Sequence, residues 1–374
     1  MSSEQSNTAD SAEVDDPIRF GVVGIGAIGP SHAFAIDKAK GTELAALCSR
    51  RPDEAAALAK KYEVPYCATV EELLEQDIDA VALCTPSGLH LDIALQVIDA
   101  GKHLLVEKPL EISTERIDRI IVAVEKKGVK LAGVFQSRFK PVVQQLKALM
   151  NNGLLGEIYG GSAYIKRYRT QDYYDSGGWR GTWEIDGGGC LMNQGIHEVD
   201  LLTWFMGDVA EVIGVTETCG RQVEVETLAL ALVKYANGAR GVIEASTVTY
   251  PGPSPYIEIF GARGTLTFSN SRVLRMELVD PTAEEERACR DLLEQRRQLE
   301  EKEAQENKDI PPGTPVGSVD MGHTPAFEDF ARAIRQDGEP LVNGPEARRS
   351  VELVTAVYES SKNGSAPIRL GEQK

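Results

Sequence analysis

An apolar run, Ile18–Gly24, leads straight into Gly24-Ile25-Gly26-Ala27-Ile28-Gly29 and then into a helical pattern from about Ser31. Few folds accept a strand, three spaced glycines and a helix in that order. The first glycine permits a tight turn, the second lets a phosphate approach the backbone, and the third lets helix and strand pack closely. A second strand, Glu43–Cys48, follows at the distance a βαβ unit needs. Alternation then continues through a helix at Pro52–Tyr62, a strand at Asp79–Cys84, a helix at His90–Ala100, a strand at His103–Val106, a helix at Thr114–Lys127 and a strand at Lys130–Phe135. Such alternation implies an α/β, doubly wound parallel sheet of Rossmann type, placed here at residues 17–137.

Past Pro141 the pattern changes. After one more helix come β-runs at Ile158–Tyr168, Val209–Thr218, Thr227–Tyr235, Ala239–Thr249, Tyr256–Phe260 and Gly264–Phe268, with Asn237-Gly238 as a hairpin turn between two of them. A single helix, Cys190–Phe205, interrupts them, and two helices near Ala326–Gln336 and Pro345–Lys362 close the chain. Residues 138–374 therefore read as a second, α+β domain with a large open mixed or antiparallel sheet. Within it, 283–309 is charge-dense and reads as an exposed helix or insertion.

Composition excludes whole classes. With 40 basic against 57 acidic residues the formal charge is -17, the wrong sign for a nucleic-acid partner. No run of about 18 apolar residues occurs, so no membrane span is expected. The leader, 1–16, is rich in Ser, Asp and Glu and is expected to be disordered, and it lacks the apolar core of a secretory signal. The six cysteines form no C-x-x-C pair, which suits small buried thiols in a reducing cytoplasm. Cys190 alone, inside a glycine-rich segment, invites a nucleophilic reading, but no thiol-enzyme histidine pattern surrounds it.

The chemistry concentrates in a few places. Ser49-Arg50-Arg51 follows the second strand, where a carboxylate would hold the ribose diol of NAD. A hydroxyl and two guanidinium groups instead suit a 2′-phosphate, so NADP is the expected cofactor and NAD the alternative. With Gly24, Gly26, Ala27, Ile28 and Gly29, these three residues form the expected cofactor site. Thr85 and Pro86 join them at the end of a parallel strand, the edge where such sheets bind ligands, as do His90 at the start of the next helix and Glu107 and Lys108 at the close of a further strand. Glu107-Lys108-Pro109 closes a buried strand with two opposite charges, a costly placement unless they have partners or a task. Gly187-Gly188-Gly189 precedes Asn193, His197 and Asp200, whose i, i+4, i+7 spacing puts them on one helix face. Glycines there would let backbone approach a ligand, and a histidine suits proton transfer from an alcohol. No ligand-spaced cysteine or carboxylate accompanies His197, so no metal is expected. His32, His103 and His323 receive no chemical role.

Taken together, Gly24–Gly29, Thr85-Pro86, Gly101-Lys102-His103 running into Glu107-Lys108-Pro109, Gly187–Asp200 and the Ile257–Thr267 run make the chain resemble the Gfo/Idh/MocA oxidoreductase family from Ile18 to Leu370. The resemblance implies a Rossmann domain followed by an open-sheet domain that makes a dimer or tetramer interface. It implies Lys108 and His197 as catalytic residues acting on a carbohydrate-like substrate. The family often has aspartate where this chain has Asn193, which removes a carboxylate from beside the histidine. The stretch from Trp179 to Gln194 looks closest to members that oxidise nucleotide-sugar uronates at C3. Tyr168, Arg169, Trp179 and Arg180, with Asn193, are the expected substrate contacts. Two other functions stay open on such a fold: glycoside cleavage through transient redox on a retained cofactor, and non-catalytic cofactor sensing.

Overall fold

The computed structural model describes residues 16–269, 271–306 and 322–371. Residues 1–15 of the leader lie outside the described residues, as do 307–309 at the end of the charged segment and the stretch that follows to 321. Elements in the first part run β1 (Ile18–Val23), α1 (Gly29–Lys38), β2 (Thr42–Cys48), α2 (Pro52–Tyr62), β3 (Tyr66–Cys67), α3 (Val70–Leu74), β4 (Ala80–Leu83), α4 (His90–Asp99), β5 (His103–Val106), α5 (Thr114–Lys127) and β6 (Leu131–Gly133). The sheet order is β3-β2-β1-β4-β5-β6, and its pairings are all parallel. Strand order reverses beside β1, between β1 and β4, so the carboxyl ends there open the crevice in which doubly wound sheets bind ligands. Buried on both faces, β1 and β4 are nearly continuous apolar runs, as parallel strands must be.

The second part comprises α6 (Pro141–Asn151), β7 (Ile158–Lys166), α7 (Gln171–Asp175), α8 (Ile196–Met206), β8 (Val209–Glu217), β9 (Leu228–Tyr235), β10 (Arg240–Ser246), β11 (Tyr256–Gly261), β12 (Gly264–Phe268), β13 (Val273–Leu278), α9 (Ala283–Glu306), α10 (Thr324–Arg335), α11 (Gly344–Lys362) and β14 (Ile368–Arg369). Its sheet runs β13-β12-β11-β7-β10-β9-β8-β14 and is antiparallel except for the β7–β10 pair. Strand β9 alternates cleanly, with Ala229, Ala231, Val233 and Tyr235 buried and Leu230, Leu232 and Lys234 exposed. One face therefore packs under α8 and α11 and the other faces outward.

Two departures from the sequence reading matter for the site. Helix α8 starts at Ile196 rather than at Cys190, because 190–195 is consumed by turns whose amides bond back to Gly189 and Glu226. Helix α10, far along the chain, packs on the first sheet: Phe327 and Phe330 lie against Phe20 of β1, with ring centroids 5.2 and 6.3 Å away. Its entry residue is His323.

Candidate active site

The glycine loop meets each demand that its spacing makes. Gly24 has φ +98, and a Cβ there would strike the Cys84 carbonyl carbon at 2.8 Å. Gly29 would place a Cβ 2.4 Å from the Gly24 carbonyl oxygen, the close helix–strand approach. At Gly26 a Cβ would meet no atom of the described residues within 4 Å, which leaves open space beside the backbone there. Helix α1 starts with no side-chain cap and no acidic residue in its first turn, leaving its amide dipole bare for an anion. The Thr85 hydroxyl, at the carboxyl end of β4, is buried and has no hydrogen-bond partner among the described residues. An open glycine, an uncapped helix and an orphan hydroxyl on one crevice fit a dinucleotide. Arg50 and Arg51 are exposed beyond β2, whereas Ser49 is buried and its Oγ accepts the Arg51 amide at 3.1 Å. That Ser49 hydroxyl supports the turn.

His90 does not reach this crevice. It is fully buried, with Nε2 2.8 Å from the Thr85 carbonyl and Nδ1 3.1 Å from the Leu110 carbonyl. It braces the end of β4 to the segment after Lys108, and this replaces the cofactor contact expected of it.

Lys108 lies past the end of β5, between the two domains. Its Nζ is 3.4 Å from the Asn193 carbonyl, which joins it to the turn one step before His197. Burial pulls the ammonium below its ordinary range, and the Glu107, Asp186 and Glu198 carboxylates oppose that against Arg167. His197 is half-buried on α8, with Phe135 packed edge-on at 6.0 Å. Burial first, and then the Lys108 charge, hold its imidazole well below the usual histidine range. Its Nδ1 is buried without a partner. A neutral imidazole beside an ammonium is a proton acceptor placed next to a hydrogen-bond donor, the combination an alcohol needs.

Glu107 is the best-supported charge in the region. His32 donates from Nε2 to its Oε1 at 2.7 Å, His323 Nε2 stands 3.4 Å from the same oxygen, and its Oε2 accepts the Lys108 amide at 3.0 Å. Burial works against the ionised form, but the two imidazoles outweigh it and hold the carboxyl well below its ordinary value. Neither histidine had a role in the sequence, because the partners lie 75 and 216 positions from Glu107. Their ligand atoms lie within 4.8 Å of one another, a two-histidine, one-carboxylate set of the kind that binds metals. The 2.7 Å His32–Glu107 contact is a complete hydrogen bond and, with the Lys108 amide on the other oxygen, makes Glu107 a brace for the Lys108 backbone, while His32 Nδ1 and both His323 nitrogens are buried without a hydrogen bond among the described residues.

The i, i+4, i+7 reading needs correction. Asn193 lies in the turn before α8, so the three residues do not share a helix face. Asp200 points into the protein, where Arg138 grips it through Nε at 2.9 Å and Nη2 at 2.7 Å, both side chains fully buried. It belongs to an internal ion pair, completed by Glu346 at 2.8 Å. The three glycines serve protein packing: a Cβ at Gly187 would strike Ile112, one at Gly188 the Tyr358 hydroxyl, and one at Gly189 the Glu226 carbonyl. Buried Glu226 holds this turn by accepting the Gly189 and Leu191 amides and the Tyr358 hydroxyl. Cys190 is buried, its thiol lies 3.6 Å from the Ala245 carbonyl, and burial chiefly pushes it well above the ordinary range, against formation of a thiolate.

Around Asn193 the fold gathers residues that sequence spacing did not reveal. Gln194 donates to Asn193 Oδ1 and to the Tyr173 hydroxyl, both at 2.8 Å, and accepts Arg169 Nε at 2.9 Å. Arg169 and Arg180 both lie over the Tyr173 ring, and Arg180 also stacks on Trp179. These make one cationic, aromatic wall. Tyr168 is elsewhere engaged, bridged to Val248 and packed between Tyr250 and Arg221. Among the described residues no helix is long and apolar enough to cross a membrane.

Residues 18–135 match the model of the oxidoreductase family with an NAD-binding Rossmann fold, and 143–267 match the C-terminal domain of GFO/IDH/MocA proteins. The chain is similar to the WlbA dehydrogenase of Bordetella pertussis, solved with NADH and UDP-GlcNAcA: TM-score 0.85 and 31% identity, over 96% of this chain and all of that one. It is 29% identical to the myo-inositol 2-dehydrogenase of Thermotoga maritima, over 70% of this chain and 78% of that one. It is 28% identical to the NADP-dependent D-xylose 1-dehydrogenase 2 of Haloferax volcanii, over 93% of this chain and 98% of that one.

Proposed function

Because the chain belongs to the GFO/IDH/MocA oxidoreductase family, we propose that it transfers hydride between a secondary hydroxyl of a sugar, sugar acid or cyclitol and a nicotinamide. The chain is a nicotinamide-dependent dehydrogenase. The observation that carries the finer reading is Lys108 meeting the Asn193 turn at 3.4 Å, one helical step before a neutral His197. When bound, the dinucleotide supplies the hydride acceptor. His197 takes the hydroxyl proton, while Lys108 donates a hydrogen bond to the oxygen as it becomes a carbonyl. The Glu107 brace fixes the lysine backbone through this step.

Arg169, Arg180, Trp179, Tyr173 and Asn193 form the substrate wall in this reading. Two guanidinium groups over aromatic faces suit an anionic, ring-shaped substrate, and a nucleotide-sugar uronate oxidised at C3 is the substrate class we favour. The similarity to WlbA, solved with UDP-GlcNAcA, supports that class. For the cofactor, exposed Arg50 and Arg51 favour NADP over NAD. The outward face of the second sheet carries Leu230 and Leu232 at 47% and 59% exposure, beside Val215 and Val242 on the neighbouring strands. This apolar face is assigned to a second copy of the chain in a homodimer or homotetramer.

The test is a panel of polyols, free uronates and nucleotide-sugar uronates, each with NADP and NAD, read by absorbance of the reduced nicotinamide. Reduction with the nucleotide-sugar uronate and NADP is expected. Turnover confined to neutral polyols would overturn the substrate assignment, and tighter NADH than NADPH binding the cofactor assignment.

A further inference from the structure

The buried carboxylates around the site are mostly paired with cations or committed to backbone amides. Asp200 is held by Arg138, Glu198 by Arg167 at 2.9 Å, Glu111 by Arg116 at 2.7 Å, Glu107 by the two histidines, and Glu226 by the amides of its turn. Asp186 is different. It is 2% exposed, and its bonds are to neutral donors: Oδ2 accepts the Gly181 amide at 2.8 Å, and Oδ1 accepts the Asn193 side-chain amide. The Asn193 amide has no freedom to turn away. Its Oδ1 is taken by Gln194 Nε2 at 2.8 Å, and Gln194 is itself fixed by Arg169 and Tyr173, so Nδ2 must face the carboxylate.

From this geometry we infer that Asp186 is a positioning residue of the active site, supplying through Asn193 the negative charge that position 193 itself lacks. The inference rests on the proposed roles of Lys108 and His197. Its physical basis is the bonded path from buried Asp186 to the Asn193 side chain, whose residue's carbonyl lies 3.4 Å from Lys108 Nζ; Glu107, Asp186 and Glu198 favour the charged lysine and Arg167 opposes it. Glu198 and Arg167 bond to each other, and Glu107 is spent on His32 and His323. Asp186 is left as the carboxylate facing the lysine that bonds no cation, one neutral amide away from the turn Lys108 touches. The Lys108 charge disfavours protonation of His197, so Asp186 acts on the pair through the lysine. Burial pushes the Asp186 carboxyl upward, while the Gly181 amide, Asn193, Lys108 and Arg180 favour its ionised form. Lys108 and Asp186 therefore stabilise each other's charge across the Asn193 turn.

The test exchanges the two partners. Asp186→Asn removes the charge, and the double variant Asp186→Asn/Asn193→Asp returns it to the other end of the same amide–carboxylate bond. In cofactor-free protein with 13C-dimethylated lysines, the Lys108 signal is identified by its loss in Lys108→Ala, and its alkaline titration is followed by NMR. Removing an opposite charge lowers a lysine midpoint, so Asp186→Asn is expected to move it down by about one pH unit. With UDP-GlcNAcA and NADP, kcat is expected to fall about tenfold or more, with the alkaline limb of its pH profile moving the same way. The double variant should regain the wild-type midpoint and most of kcat. An unmoved Lys108 midpoint in Asp186→Asn, or a double variant that titrates like the single one, would overturn the inference. Should Asp186→Asn prove insoluble, the double variant alone decides: a midpoint displaced from wild type refutes it. Lys108→Ala separates the two levels of the reading, because full turnover there removes the proposed catalytic site, whereas lost turnover with a silent Asp186 removes only this inference.

Discussion

Two alanine substitutions three residues apart should affect this protein in opposite ways. At Gly26 a new methyl would meet nothing within 4 Å, and the residue is not in the left-handed region. Gly26→Ala should therefore leave the cofactor-free protein as stable as before, or more stable by about 0.4–1 kcal/mol through a less flexible unfolded chain. At Gly29 the methyl would lie 2.4 Å from the Gly24 carbonyl oxygen, a backbone atom that cannot move without reshaping the loop. Overpacking of that kind costs about 1–3 kcal/mol. Dinucleotide affinity should separate from stability: Gly26→Ala fills the space a pyrophosphate must enter, and a tenfold loss corresponds to about 1.4 kcal/mol. Urea unfolding without cofactor, paired with calorimetric titration of NADPH and NADH, measures both quantities. If Gly26→Ala bound both dinucleotides as tightly as the native protein, the loop would not be their cradle.

Replacing Arg50 and Arg51 together by alanine should weaken NADPH by about tenfold or more while leaving NADH nearly unchanged, since a charged hydrogen bond is worth about 1.5–3 kcal/mol; equal losses for both dinucleotides would deny the arginines a part in selection. Asp200→Asn should destabilise the fold by about 3 kcal/mol, the lower end for a broken buried pair because Glu346 still contacts Arg138; a variant of native stability with lost turnover would return Asp200 to the chemistry. Leu232→Glu on the outward sheet face should shift sedimentation to a smaller species, and an unchanged profile would free that face from self-association.

Much of the fold was legible because its determinants are local. The close approach of Gly29 to Gly24 spans only five residues, although Gly24 also lies against distant Cys84, and α2 and α5 begin and end where proline, a serine cap and a C-terminal glycine put them. The alternation in β9 likewise follows from the two faces of one sheet. What the sequence hid depends on distant partners. Helical spacing suggested that Asn193, His197 and Asp200 act together, yet the Glu226 carboxylate holds 189–191 in a turn and delays the helix to Ile196. Arg138, 62 positions away, then claims Asp200. His323 gave no signal in a late loop, and only the docking of Phe327 and Phe330 on Phe20 brings it to Glu107. Asp186 was equally silent. A carboxylate immediately before three glycines, and seven residues before the asparagine, was the clue available.

The central claim is that Lys108 and His197 perform the chemistry while other residues hold the cofactor. Single-turnover reduction of NADP, with UDP-GlcNAcA at saturation, tests it directly in Lys108→Ala and His197→Ala beside the native protein. Each variant should bind NADPH with native affinity and transfer hydride about two to four powers of ten more slowly. Native transfer rates in both variants, with cofactor still bound, would contradict the account.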